Sequence, residues 1–251
     1  MKRTAANIVR EYGPFPDVTD VHGVSYDGAN VWIATGETLN AVDPDSGKMV
    51  RAIKVPAHAG TAFDGQHLFQ IAGDRIQKVD PQTGDVVATV PTPDGGASGM
   101  AWAEGTLWVA QYRNRKIHQV DPQTGAILRT IESNRFVTGV TWVGDELWHG
   151  TWEADQSELR HIDSKTGEVL EQLDMPAGIA VSGLESNGSD MFFCGGGNSG
   201  KLRAVRRPNR ESRVARGLLT TFLGNIVVSA GLYRISSAAI PSLPLDRFER
   251  W

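Results

Sequence analysis

Asp43-Pro44-Asp45-Ser46-Gly47, Asp80-Pro81-Gln82-Thr83-Gly84, Asp121-Pro122-Gln123-Thr124-Gly125 and Asp163-Ser164-Lys165-Thr166-Gly167 are copies of one turn. Its residue types explain themselves. Asp caps the turn, Pro presets φ, and Gly takes the left-handed position of a short hairpin. Upstream of each copy lies a second shared element: a strand of small residues, a Gly-containing turn, then a strand with a large aromatic. It reads Gly23-Val24-Ser25-Tyr26-Asp27-Gly28 to Trp32, Gly60 to Phe69, Gly99 to Trp108 and Gly139 to Trp148. A fainter fifth copy runs from Gly183 through Asn187-Gly188 to Phe192. The period is about 40 residues, and several short strands in a unit of that length mean a propeller or an array.

Each unit reads as four antiparallel strands. In the third, Ser98 to Trp102 is strand a and Thr106 to Gln111 strand b. Lys116 to Val120 is strand c and Ala126 to Glu132 strand d. Alternation in Ile117-His118-Gln119-Val120 and in Ile127 to Ile131 supports a period of two. Blades are expected at about 21–57, 58–95, 96–134, 135–177 and 178–208. The fifth has strands a to c and no evident d. Residues 6–12 are strand-like and can supply the missing outer strand, joining the two ends of the ring and leaving no open seam. The expected fold is therefore all-β: a five-bladed β-propeller over 1–208 closed by its N-terminal strand, followed by a non-repeat tail over 209–251.

Composition narrows the function classes. The 251 residues suffice for one all-β domain with a large core. Net charge is -4, and the cations are concentrated at the C-terminal end. The repeat body is thus acidic, which argues against nucleic acid as a partner. A single cysteine, Cys194, excludes an internal disulfide and a Cys-based zinc site. Met1-Lys2-Arg3 is not followed by an apolar run, so the literal expectation is a cytoplasmic protein, or a periplasmic or secreted one if a leader has been removed. In the tail, Gly217 to Tyr233 carries no charge. It is too short and too polar to read as a membrane span.

In a propeller, strand a lines the axial channel, and the d–a and b–c loops meet around its mouth. A small-molecule ligand is expected there, because loops from every blade converge on one concave place. The column His22, Ala59, Ser98, Thr138, Ser182 is small except for its histidine. In the column Ser25, Ala62, Ala101, Thr141, Glu185, the last residue is the only charge. A carboxylate on an innermost strand needs a cation, a metal or a hydrogen-bond network. The segment Trp148-His149-Gly150-Thr151-Trp152-Glu153 is the densest candidate, with His149 as a base and Glu153 as an acid or metal ligand. The candidate catalytic residues are His149, Glu153 and His22. Ligand contacts are assigned to Arg135, Arg113, Tyr112, Trp152, Gln111 and Thr138. Glu185, Glu153 and Asn198 are the candidate oxygen ligands of a divalent metal, calcium first. The aromatic columns read as core, and Gly195 to Gly200 as a flexible b–c loop.

The unit Gly99 to Ala110 with Lys116 to Gly125 resembles the repeats of streptogramin B lyase-like and YncE-type propellers, over roughly residues 20–205. That resemblance implies opening of a cyclic depsipeptide with a divalent metal, His and Glu. Thr35 and Gln111 stand where an acid follows the aromatic strand in many lyase repeats. By blade number the chain is similar to bacterial and plant glutaminyl cyclases, which implies cyclisation of N-terminal glutamine by a carboxylate among aromatic walls. By architecture it is similar to calcium-dependent lactonase propellers, which implies a metal polarising a lactone. Metal-assisted ring opening, glutaminyl cyclisation and non-catalytic binding of a ligand or protein all follow as expectations.

Overall fold

A computed structural model describes residues 1–208, which form one compact unit. The tail from 209, read above as non-repeat, basic and then apolar, lies outside the described residues.

The described chain is all β, arranged as five small sheets in a five-bladed propeller. It opens with β1 (Lys2–Ala5) and β2 (Ile8–Tyr12). Blade one is β3 (Val24–Tyr26), β4 (Val31–Ala34), β5 (Gly36–Val42) and β6 (Met49–Ala57). Blade two is β7 (Thr61–Phe63), β8 (Leu68–Ala72), β9 (Arg75–Val79) and β10 (Val86–Pro91). Blade three is β11 (Met100–Ala103), β12 (Thr106–Gln111), β13 (Lys116–Val120) and β14 (Ile127–Glu132). Blade four is β15 (Val137–Val143), β16 (Glu146–Thr151), β17 (Glu158–Ile162) and β18 (Val169–Asp174). Blade five has β19 (Leu184–Ser186), β20 (Met191–Gly195) and β21 (Leu202–Arg206) of its own. No helix among the described residues is long and apolar enough to cross a membrane.

The N-terminal segment closes the ring as its sequence suggests. β2 runs antiparallel to β21, with Tyr12 opposite Leu202 and Ile8 opposite Val205. The segment also does something the repeat did not announce. β1 adds a parallel fifth strand to the outer edge of blade four, with Lys2 opposite Glu171 and Ala5 opposite Asp174. Ion pairs Lys2–Glu171 at 2.8 Å and Arg3–Asp174 at 2.7 Å accompany it. Twelve residues thus strap the last two blades together. The Lys and Arg of β1 read as polar chain in sequence because all of its side chains are exposed.

The hairpin turns behave as their chemistry requires. Asp121 Oδ1 accepts the amides of Gln123 and Thr124 at 2.8 and 2.9 Å, and Gly125 has φ of +75°. Those amides hold the Asp121 carboxyl below its ordinary range. Between blades the aromatic columns interlock. Phe69 meets Trp102 at 5.4 Å, Trp108 meets Trp142 at 5.0 Å, and Trp148 meets Phe192 at 5.0 Å between ring centres.

At the axis, Gly23, Gly60, Gly99, Gly139 and Gly183 bring the five inner strands into backbone contact. A Cβ on Gly99 would stand 2.2 Å from the Thr138 carbonyl oxygen, and one on Gly139 would stand 2.2 Å from the Leu184 amide nitrogen. Both obstacles are backbone, which cannot rotate away. Gly99→Ala is therefore expected to destabilise the protein by about 3 kcal/mol or to prevent folding. Thermal denaturation measures it, and a wild-type midpoint would show that the strands can part at the axis.

Candidate functional site

Because each inner strand starts at the loop face, the residues just before the glycine ring surround one mouth. A cavity of about 530 Å³ opens there. Its walls come from the d–a segments before β3 and β19, from the start of β15, from β21 and from the b–c loops of blades four and five. His22, Thr138, Trp152, Ser182, Asn198 and Arg203 are its chemically distinctive lining residues. Two other grooves, of about 700 and 730 Å³, lie between blades. Several of their charged side chains already have partners. Asp27 accepts from the Trp32 indole, and Arg160 binds Glu158 and Asn134.

The Gly-rich segment read as flexible is tied down instead. The Gly196 amide donates to the Lys201 carbonyl at 2.8 Å, and the Gly197 amide to the Val21 carbonyl at 3.1 Å and the Ser182 hydroxyl at 3.0 Å. Ser182 in turn donates to Val21. This ladder joins blade five to the start of blade one and forms one wall of the mouth. Glycine is needed within it: a Cβ on Gly196 would stand 2.8 Å from the Lys201 carbonyl oxygen, which is backbone.

Of the residues selected from sequence, His22, Thr138, Trp152 and Asn198 come together in this cavity. The others have different places. His149 is 1% exposed on β16, with Nδ1 against the Gly150 carbonyl at 3.1 Å. Burial pushes its pKa down to about 4, and the neighbouring Arg160 adds to that. It is a neutral core histidine and does not line the mouth, so it does not act there as a base. Glu153 pairs with Arg115 at 3.0 Å and Arg135 at 3.6 Å. Arg135 also reaches Glu158 at 3.5 Å, and Glu158 binds Arg160 at 2.6 Å. The loop charges thus form a chain that knits blades three and four. Gln111 is buried and donates to the Asp94 carbonyl at 2.7 Å. Tyr112 donates to the Trp152 carbonyl at 2.9 Å and stacks on Phe136 at 4.8 Å, so it braces the wall from behind. Arg113 is exposed.

Glu185 lies two residues beyond Gly183, farther from the mouth, and is not among the cavity's lining residues. Thr141 Oγ1 and the Ser186 amide donate to Oε1, and Ser25 Oγ donates to Oε2 at 3.4 Å. Burial raises its pKa to about 7 against those three donors, although the residue is only partly buried. Glu153, Glu185 and Asn198 therefore have separate surroundings. No group of three His, Cys, Asp or Glu suited to a metal occurs among the described residues. The donor set does not fit a shared divalent ion.

Arg203 was not singled out in the sequence. A signal existed: Asn40, Gln77, His118, Arg160 and Arg203 form a column of buried polar residues on the third strand of every blade. His118, for one, is satisfied by Gln111 at 3.1 Å and Thr130 at 2.8 Å.

No family model matches the chain, and no curated protein matches it in sequence. Among solved structures, a glutaminyl cyclase from Myxococcus xanthus superposes with a TM-score of 0.68 at 18% identity, covering 82% of this chain and 97% of that one. The WD40 repeats of RRP9 give 0.52 at 10% identity over 81% and 99% of the two chains. A chain of the mitotic checkpoint complex gives 0.51 at 12% over 83% and 94%. At these identities the likeness is one of fold.

Two buried groups should leave opposite marks on stability. Folded His149 resists protonation, so lowering pH from its ordinary 6.5 towards about 4 favours the unfolded chain, which takes the proton. The loss is roughly 3 kcal/mol. Folded Glu185 prefers to stay protonated, so raising pH from 4.5 towards about 7 favours the unfolded chain, which gives the proton up. That cost is about 2 kcal/mol, since the side chain is only partly buried. His149→Asn is expected to flatten the acid side of the stability–pH curve, and Glu185→Gln to raise stability at pH 8 but not at pH 4. Denaturant titrations across that range test both, and parallel curves for wild type and variants would refute the assignments.

Proposed function

We propose that the loop-face cavity binds the amino-terminal residue of a peptide and that the protein acts there as a glutaminyl-peptide cyclotransferase-type enzyme. The observation that carries the reading is His22. It is the one imidazole among the cavity's lining residues, and it interrupts a column of small residues. Trp152 offers an apolar wall, and Ser182, Asn198 and Thr138 offer polar contacts. The fold likeness to the Myxococcus xanthus enzyme agrees with this choice and does not by itself decide it.

The reaction needs no water, oxidant or metal. The α-amine nitrogen of N-terminal glutamine attacks its own γ-carboxamide carbon. A C–N bond forms, the amide nitrogen leaves as ammonia, and a five-membered lactam remains. The amine must lose a proton and the leaving nitrogen must gain one. His22 can carry that proton between them, while the enclosing walls hold the two reacting atoms together.

Metal-assisted lactone opening has less support, because the acids it would use are dispersed. A second reading, binding without turnover, is favoured by one specific feature: no carboxylate is among the cavity's lining residues.

The test is ammonia release and lactam formation from a glutamine-initiated dipeptide. Wild type is expected to turn over, and His22→Ala to lower kcat about 100-fold with KM little changed. Saturable binding of the dipeptide with no ammonia would replace catalysis with the binding reading. Neither binding nor turnover would overturn both.

A further inference from the structure

We infer that Arg203, with Thr138, forms an oxygen-acceptor subsite in the mouth cavity, which takes a carbonyl or carboxylate oxygen of the ligand. Two observations point to it. Arg203 is 6% exposed and its Nη1 has no hydrogen-bond partner; Thr138 is 6% exposed and its Oγ1 has none. Both residues line the same cavity. A buried donor without an acceptor is costly, most of all on a charged group. Both atoms lie buried in residues at the edge of this cavity, so a ligand rich in acceptors that reached them would relieve that cost.

Charge points the same way. Arg203 Nε binds Glu11 Oε2 at 2.6 Å, and Glu11 Oε1 also serves Lys201 at 3.2 Å. One carboxylate is thus shared by two cations, and these cations hold it below its ordinary pKa. No acid lines the cavity to neutralise the remainder. The Arg203 guanidinium is held at Nε from the closing strand β2, and its Nη1 packs beside Gly196 without an acceptor. Arg160, at the equivalent place in blade four, differs. Its Nε and Nη2 bind Glu158 and its Nη1 binds Asn134, so no part of that fork is offered. Other groups around Arg203 do not compete for this role. Cys194, opposite it in the sheet, has its thiol pushed up to about 12 by burial, so it is no thiolate nucleophile.

The subsite deepens the proposed function and rests on its placing the ligand in this cavity. It commits to oxygen acceptors, whose source is either the free carboxylate of a small acid or the carbonyl of a peptide end. Binding of 5-oxoproline and of its neutral amide to the full chain, followed by calorimetry, separates the two. Binding of the acid alone assigns the subsite to a carboxylate, and binding of the amide to a peptide carbonyl. In either case Arg203→Lys, which keeps a cation near Glu11, and Thr138→Val, which lies outside the closing strand, are expected to weaken binding at least tenfold. Their melting midpoints are expected to stay near wild type. Wild-type affinity in both folded variants, or no binding of either probe to the wild type, would overturn the subsite. The two readings fail separately. Dipeptide turnover with unchanged KM in Arg203→Lys would sink the subsite and leave cyclisation standing. Probe binding lost in the variants without any turnover would sink cyclisation and leave the subsite.

Discussion

Backbone contact among five inner strands sets the geometry of everything else. The strands meet where Gly23, Gly60, Gly99, Gly139 and Gly183 remove every Cβ from the axis. With side chains there, the strands would stand farther apart, and five blades would not close at this radius. The same contact narrows the channel, so the residues on its two sides are separated. His22, Thr138 and Ser182 precede the glycines and face the mouth, while Ser25, Thr141 and Glu185 follow them. A column offset of three residues thus decides whether a polar group belongs to the ligand cavity or to the channel beyond it. Outside this ring the aromatic layers fill the widening space between neighbouring blades.

How much of this was legible follows from what repeats. The blades, their strands and the closing role of residues 6–12 recur or complement a recurring pattern, and pattern is what a sequence displays. Blade five begins at Leu184 and not at Val181, because Val181 and Ser182 are engaged by Ser157 and by the Val21–Gly197 ladder before the sheet starts. The parallel strand β1 was not legible. Its four exposed residues carry no alternation, and its partners, Glu171 and Asp174, are far away in the chain.

The site was legible in part for the same reason. His22 was visible as an exception within a column. Glu153 was misleading because its partners come from other segments: Arg115 from the preceding blade and Arg135 from the entry to its own. Spacing along one strand says nothing of charges delivered across a blade boundary. His149 was misleading because strand alternation alone does not say which face meets the core; full burial beside Trp148 does. Arg203 escaped notice because its column is polar in every blade, so an arginine there looked ordinary.

That last case shows how a repeat protein acquires a singular place. Five related blades supply five related positions, and any residue shared by all of them is occupied with holding the ring. Asn40, His118 and Arg160 are satisfied within or beside their own blades. Arg203 belongs to the one blade whose fourth strand arrives from the other end of the chain. Its acid, Glu11, comes with that strand and has to serve Lys201 as well. The seam that closes the ring is therefore one place where this column's pairing is incomplete, as it is also at Gln77 Oε1 in blade two. A guanidinium with an unmatched edge is left at the mouth, beside the one histidine in the small-residue column. The asymmetry that a ligand can use arises from the closure that the fold requires.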